Sequence, residues 1–137
     1  MKTPQGYLLR FMKGDEVMGT LSTFCKDNDI RAAQISAIGA LTHAELGFYD
    51  LTEKQYFWKT FEGDFELVSA SGNVSVFEGE TVLHVHVVIS DRAYKPYGGH
   101  LRKGVVGATC EMILTPHEAA LERKFDENIG LNLWGFD

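Results

Sequence analysis

The chain has 137 residues, a length that corresponds to one folded domain with one core. Its hydrophobic share of 45% and charged share of 23% are ordinary globular values, which exclude a disordered or low-complexity chain. The net charge of -6, from 13 basic and 19 acidic residues, repels nucleic-acid phosphates and anionic lipid surfaces, so duplex DNA is a poor default ligand.

The first predicted elements are a strand and a helix. Residues 7–12 form an apolar run suited to a strand, and residues 14–16 then supply a turn, an N-cap and an acidic residue for the first helical turn. The polar residues 26–29 end the helix. Its apolar stripe falls at helical spacing on Val17, Leu21, Phe24 and Cys25.

From residue 32 onward, the pattern predicts strands separated by glycine or charged turns. A tight hairpin turn is expected at residues 78–80, an irregular segment at 91–99, and either a strand or a short helix at 118–125. The predicted fold class is therefore α+β, with a mainly antiparallel, curved or barrel-like sheet and one substantial helix, in a single domain over residues 1–137. The predicted strands cover residues 32–40, 42–49, 55–62, 65–73, 74–77, 81–90 and 105–114.

The strand at residues 81–90 carries the pattern of the chain that most clearly suggests a functional site. Alternation places apolar side chains on one face and the imidazoles of His84 and His86 together on the other, about 7 Å apart along the strand. His100, after Gly98 and Gly99, offers a third nitrogen, because the two glycines permit a tight turn or a close backbone approach. Three histidines can bind a metal ion and leave a fourth coordination position open for water or substrate.

The same pattern also has a plain structural interpretation, in which His84 and His86 are half-buried, hydrogen-bonded strand residues and His100 is unrelated to them. If the metal site exists, side chains that orient the imidazoles are needed. The candidates, chosen by chemistry alone, are Glu66, Asn73 and Glu111. The cofactor would be zinc or another divalent transition metal, because imidazole binds several of them. His43 and His117 are expected to be surface or turn residues.

Cys25 and Cys110 lie in no metal-binding spacing and are expected to be reduced core thiols. Residues 1–6 lack a signal-peptide pattern, and no apolar run approaches the ~20 residues of a membrane span. We therefore expect a cytoplasmic protein without a membrane partner.

Several other segments allow more than one interpretation. The pairs Arg102-Lys103 and Arg123-Lys124 are interpreted as parts of a solvated surface rather than as a nucleic-acid patch. Residues 91–97 form either a lid or an ordinary loop, in which Arg92 or Lys95 could pair with a substrate carboxylate. The aromatic tail over residues 130–136 is expected to pack onto its own subunit or a neighbour.

Taken in order, the motifs of the chain resemble the plants and prokaryotes conserved (PPC) domain family. The resemblance covers roughly residues 6–125, and we expect a prokaryotic stand-alone member. The segments that carry it are Ala-Glu-Leu-Gly-Phe-Tyr-Asp at 44–50, Phe-Glu-Leu-Val-Ser at 65–69, Ser-Gly-Asn-Val at 71–74, His-Val-His at 84–86, Gly-Gly-His-Leu at 98–101 and the strand near Glu111.

The resemblance implies an α+β domain that assembles as a homotrimer, with zinc at the clustered histidines in some prokaryotic members. It also implies a fold similar to acetolactate decarboxylases, which hold zinc with a His-x-His pair and a third histidine. Plant members join the domain to an Arg-Gly-Arg-Pro segment that enters the DNA minor groove, and this segment is absent from the 137 residues.

Two functions therefore remain open from the sequence. The first is a trimeric metal-binding protein, and possible zinc-dependent enzyme, for a small carbonyl or carboxylate ligand. The second is a non-catalytic module that binds DNA or a protein partner. Exposed aromatic side chains would serve the second function, although core and trimer-interface packing explains them as well. These are Tyr49, Tyr94, Tyr97 and Trp134.

Overall fold

The computed structural model describes residues 1–136, and within them eight strands and one helix are formed. No helix in this described part is both long and apolar enough to cross a membrane. The elements in chain order are β1 (Lys2–Thr3), β2 (Gly6–Met12), α1 (Val17–Asp27), β3 (Ala33–Asp50), β4 (Gln55–Phe77), β5 (Glu80–Ser90), β6 (Pro96–Pro116), β7 (Arg123–Asp126) and β8 (Leu131–Trp134).

The main sheet is antiparallel and curls until it partly closes. Its strand order is β1-β2-β6-β3-β4-β5, and β5 also pairs with the beginning of β6. Strands β3, β4, β5 and β6 therefore form a ring. The predicted α+β class, with a curved or barrel-like antiparallel sheet and one substantial helix, is confirmed.

The helix α1 begins at a side-chain cap. The Glu16 carboxylate accepts hydrogen bonds from the backbone N–H groups of Met18 and Gly19, at 3.1 and 2.6 Å. It also accepts the N–H of Gly104 at 3.2 Å, which ties the helix start to β6. Glu16 is therefore the N-cap itself, and the expectation of an acidic residue within the first turn is wrong. The buried stripe of α1 consists of Val17, Leu21 and Cys25.

Strands β3, β4 and β6 are longer than the sequence predicts. The two strands expected over 32–40 and 42–49 are one strand, whose register shifts near Gly39 and Thr42. The three expected over 55–77 are also one strand, and Gly63 lies inside it with a φ of 124°. The prediction of irregular structure over 91–99 is wrong from Pro96 onward, where β6 begins. Glycine marks bends and bulges within these strands rather than their ends.

The core lies between α1 and the concave face of the sheet. Tyr7 on β2 meets Phe24 of α1 edge to face, with 5.1 Å between ring centroids. Cys25 and Cys110 are free and buried, as expected. Burying each large aliphatic side chain contributes about 1.5–3 kcal/mol to stability. The fully buried aliphatic residues include Leu21, Ile35, Leu41, Ile89 and Leu114.

The C-terminal segment folds back as a separate two-stranded hairpin of β7 and β8. It resolves the ambiguous prediction at 118–125 as a strand from Arg123 onward. Just before the aromatic tail, the Tyr49 hydroxyl donates to the carbonyl of Ile129 at 2.7 Å. The tail itself packs onto its own chain only in part, because the N–H of Gly135 donates to the carbonyl of Glu122 at 2.9 Å while Trp134 and Phe136 remain 46% and 74% exposed. The Lys54 ammonium group donates to the carbonyl of Glu127 at 2.8 Å.

Candidate metal centre

Strand β5 presents two imidazoles on its outward face. Val85 and Val87 point into the core and are buried. His84 and His86 alternate with them and therefore lie together on the opposite face, as the alternation predicts. Their Nε2 atoms are 3.1 Å apart.

The third imidazole comes from the neighbouring strand β6. His100 pairs directly with His86 where β5 and β6 close the ring, and directly opposed residues on antiparallel strands have side chains on the same face. Gly99 permits a close backbone approach, since a Cβ atom there would lie 2.8 Å from the carbonyl oxygen of Gly47. It lies within β6, so the tight turn considered for residues 98–99 is not formed.

The three histidines are close enough to bind one ion. A ligand atom from each lies within 4.8 Å of the other two. Zinc with nitrogen ligands at ~2.0–2.1 Å in tetrahedral geometry separates those nitrogens by about 3.4 Å, so small ring movements suffice. Nδ1 of His100 is buried and has no hydrogen-bond partner among the described residues. The donor set and spacing fit a transition metal.

The electrostatics of the site keep two of the imidazoles neutral. Burial lowers the pKa of His100 to about 4, with smaller contributions from the neighbouring His84, His86 and Arg123. Burial also lowers the pKa of His84, with smaller contributions from His86 and Arg123. A metal ion needs the neutral imidazole, and at pH 7 these two ligands bind it without first losing a proton.

An aromatic wall stands beside His100. The ring centroids of Tyr56 and Trp58 lie 5.1 and 6.0 Å from that of His100. Tyr56 and Trp58 stack on each other at 4.9 Å. Gly47 makes room for both rings, since a Cβ atom there would be 2.6 Å from Trp58 and 2.9 Å from Tyr56. The wall limits the space beside His100 and gives it a flat apolar side.

Asn73, one of the three proposed supporting residues, lies at the site. It pairs with His84 across β4 and β5, so their side chains are on one face. Its Oδ1 accepts a hydrogen bond from Nη2 of Arg123 at 3.1 Å and a longer one from Nε1 of Trp134 at 3.4 Å. Asn73 therefore connects the histidine face to the C-terminal hairpin.

The structure does not bring Glu66 and Glu111 to the histidines of the same chain. Glu66 pairs with Ser90 on β5 and with Ala40 on β3. It lies ~16 Å along β4 from Ser71, the residue opposite His86. Glu111 lies opposite Ile38, and Ile38 is ~30 Å along β3 from Gly47, the residue opposite His100. Both are exposed and share a shallow outward depression.

Arg123 is the site residue that sequence reasoning missed. It was interpreted as part of a solvated surface, but it is half-buried and its Nε donates to Oγ of Ser75 at 2.6 Å. Its Nη1 donates to the carbonyl of Asn132, also at 2.6 Å. Burial lowers the pKa of Arg123. A parallel bridge between Val76 and Glu122 brings this residue beside β4, and no local sequence pattern marks it.

The two remaining histidines lie outside the cluster, as expected, but only His117 is exposed. His43 lies within β3 rather than in a turn, and its side chain is only 19% exposed. Its Nδ1 is 2.6 Å from Oε1 of Glu62. Arg92 and Lys95 lie beyond the end of β5, in or next to the turn that follows it. The last residue of that strand, Ser90, is ~13 Å from His86 along the strand, so the turn begins well away from the histidines.

Fold and site together define a small curled-sheet protein with a three-histidine group that could hold a metal ion. The model of the Plants and Prokaryotes Conserved (PCC) domain matches residues 1–118, and the chain belongs to that family. The family resemblance of the sequence motifs is thereby confirmed.

Solved structures of similar proteins share the fold over nearly the whole chain. A candidate DNA-binding protein from Ralstonia eutropha JMP134 is 34% identical with a TM-score of 0.93, covering 100% of this chain and 95% of its own. A metal-containing protein from Archaeoglobus fulgidus is 38% identical with a TM-score of 0.87, covering 95% and 92%. A PPC protein from Pyrococcus horikoshii is 34% identical with a TM-score of 0.88, covering 95% and 90%.

Two further matches are more limited in identity or in coverage. The α-acetolactate decarboxylase of Bacillus subtilis strain 168 shares the fold at 14% identity, with a TM-score of 0.61 over 93% of this chain and 59% of the enzyme. A curated relative, the bifunctional protein GlmU of Synechococcus sp. (strain JA-3-3Ab), is 29% identical over 121 residues. That match covers 87% of this chain but only 18% of GlmU.

Proposed function

We propose that the protein binds a divalent transition metal, zinc first, through His84, His86 and His100. The observation that carries this proposal is the placement of three imidazole nitrogens within 4.8 Å of one another on one sheet face. The neutral state of His84 and His100 at pH 7 supports it. The metal-containing relative from Archaeoglobus fulgidus, 38% identical, supports it as well.

The ligand that we propose is a small carbonyl or carboxylate compound. Three protein ligands leave a tetrahedral ion with an open position, which is typical of catalytic rather than structural zinc. A bound zinc ion would supply Lewis-acid polarisation of an oxygen ligand. Among the residues of the chain, Asn73 lies opposite His84 and accepts a hydrogen bond from Arg123, while the rings of Tyr56 and Trp58 flank His100. An enzymatic reaction at this centre is part of the proposal.

Metal analysis tests the centre directly. Protein purified without chelators, incubated with zinc and desalted should retain about one equivalent per chain. His84→Ala, His86→Ala and His100→Ala should each lower this to less than about a tenth of an equivalent, because two imidazoles hold zinc weakly. His117→Ala is the matched control, since this exposed histidine lies outside the cluster. Wild-type protein that takes up no zinc would refute the proposal.

We also propose that the chain is a single domain that assembles as a homotrimer. The convex sheet face exposes an apolar patch in which Ile38 is 60% exposed, and a large exposed patch indicates an interface. Arg10 and Glu111 lie opposite each other on the same face and supply charges of both signs for contacts between copies. The members of this convex patch are Leu8, Met12, Ile38, Val68 and Ile113.

Sedimentation equilibrium tests the assembly. A trimer of the 15.3 kDa chain has a mass of about 46 kDa. A monomer at micromolar concentration would contradict the homotrimer. We place the protein in the cytoplasm, where its two free, buried cysteines would remain reduced.

DNA binding is the second candidate function, supported by two similar structures. Those from Ralstonia eutropha JMP134 and Bacteroides thetaiotaomicron, at 34% and 26% identity, are both described as candidate DNA-binding proteins. The net charge of -6 opposes it. A fluorescence anisotropy titration with a 20–30 base-pair duplex at ~20 mM and ~150 mM salt decides it. Affinity that is absent even at the lower salt concentration removes DNA as a ligand.

A further inference from the structure

The C-terminal hairpin supplies one wall of the histidine site. The family match ends at residue 118, whereas the hairpin of β7 and β8 begins at Arg123. Its contacts with the histidine face run through Asn73, which accepts hydrogen bonds from Arg123 and Trp134. A segment beyond the matched domain therefore shapes the surroundings of the candidate metal ligands.

Within the part of the chain that the structure describes, the guanidinium of Arg123 is held in place by neutral acceptors. These are the hydroxyl of Ser75, the amide oxygen of Asn73 and the backbone carbonyl of Asn132. Among the described residues it makes no ion pair with a carboxylate. Glu122, its chain neighbour, pairs instead with Arg31 at 2.9 Å. A half-buried cation with neutral partners is costly unless an anion reaches it.

Arg123 is also oriented to receive such an anion. Arginine has five N–H donors, and the three hydrogen bonds leave donor capacity on both terminal nitrogens. Asn73, which accepts a hydrogen bond from one terminal nitrogen of Arg123, lies directly opposite His84, so the guanidinium lies on the side of the histidines. With a divalent ion on three neutral imidazoles, the site would carry three positive charges, and the group of potential ligands among the described residues contains no carboxylate.

We propose that Arg123 binds the carboxylate of a small organic anion whose other end lies at the histidine centre. This assignment rests on the proposed metal site and narrows its ligand from carbonyl or carboxylate compounds to carboxylates. A planar guanidinium matches carboxylate geometry. The Tyr56 and Trp58 rings provide a flat apolar side for a short carbon skeleton. Arg123 is thus a specificity-determining residue contributed by the hairpin.

The test measures pyruvate binding to the cobalt(II)-loaded protein by visible absorption, without any turnover. Arg123→Gln should weaken pyruvate binding by about tenfold or more, because a charge-assisted hydrogen bond is lost, and should leave metal affinity within about twofold. Arg123→Lys keeps the charge but loses the planar fork, so its affinity should be intermediate. Methyl pyruvate, which lacks the carboxylate, should bind wild-type and Arg123→Gln protein equally weakly.

Arg92→Gln is the matched control, because it removes an exposed guanidinium from the turn after β5. Its pyruvate affinity should equal that of the wild-type protein. Circular dichroism and tryptophan fluorescence, measured in a Trp58→Phe background so that Trp134 is the reporter, verify that the hairpin stays docked in each variant. Arg123→Lys carries the comparison if Arg123→Gln does not fold.

The outcomes separate the two proposals. Wild-type protein that takes up no cobalt or zinc overturns the metal centre and this assignment with it. Metal uptake with equal pyruvate affinity in wild-type and Arg123→Gln protein overturns only the role of Arg123. Loss of binding in Arg92→Gln but not in Arg123→Gln does the same. Inorganic phosphate that binds through Arg123 more tightly than pyruvate overturns the choice of a carboxylate.

Discussion

Adding one methyl group at Gly47 should disturb the aromatic wall beside His100. The Cβ atom of an alanine would lie 2.6 and 2.9 Å from two carbons of the Trp58 ring and 2.9 Å from Cδ1 of Tyr56. Overpacking of this kind costs ~1–3 kcal/mol, and the reduced entropy of the unfolded chain returns ~0.4–1 kcal/mol. Gly47→Ala should therefore lower the free energy of unfolding by about 1–2 kcal/mol.

Gly104→Ala provides the matched control on the strand that pairs with β3. The nearest atoms to its Cβ would be methyl carbons of Leu41 and Leu101 at 3.5 and 3.6 Å, which is ordinary contact. Urea unfolding of both variants gives the stability difference, and competition with a chromophoric chelator gives zinc affinity. Only Gly47→Ala should weaken zinc binding, because its displaced rings contact His100. Equal stability and zinc affinity in the two variants would refute this role for Gly47.

Three further predictions follow from other parts of the molecule. Ile38→Asp should convert the proposed trimer to monomers of 15.3 kDa in sedimentation, since it places a charge in the convex patch; an unchanged mass would exclude that patch as the interface. Burial raises the pKa values of Cys25 and Cys110 to about 11, so a thiol reagent at pH 8 should label neither until urea unfolds the protein; rapid labelling of the native state would contradict their burial. The metal-free protein should lose stability as the pH falls from ~6.5 to ~4, because His100 takes up a proton near its ordinary pKa of 6.5 in the unfolded chain and only near 4 in the native state. Solvent access reduces the resulting change in the free energy of unfolding to on the order of 1–2 kcal/mol. His100→Gln should flatten this part of the pH profile measured by urea unfolding.

The predicted fold followed from local patterns, and its errors have a common cause. Alternation identified the residues that form β5, and the turn at 78–80 was found because a tight hairpin needs residues with positive φ, as Glu78 and Gly79 have. The same glycine signal misplaced strand ends, since Gly63 bends β4 without ending it. Whether a glycine ends a strand or bends it depends on the partner strand, which local sequence does not contain.

The residues of the candidate site also fall into those that local sequence patterns predict and those that depend on contacts distant in the sequence. His84 and His86 could be paired from strand periodicity, and the glycines before His100 indicated a close backbone approach. Arg123 could not be found, because it reaches Asn73 across 50 residues of chain through the C-terminal hairpin. Glu66 had suitable chemistry as a supporting residue, but strand register places it far along β4 from the histidines of its own chain.

Anomalous X-ray diffraction at the zinc absorption edge, from crystals of the zinc-loaded protein, tests the central claim most directly. The structure predicts one peak per chain, about 2.0–2.1 Å from a ring nitrogen of each of His84, His86 and His100, with a non-protein ligand in the remaining position. No peak at these histidines, or a peak only elsewhere, for example beside His43 and Glu62, would contradict the account.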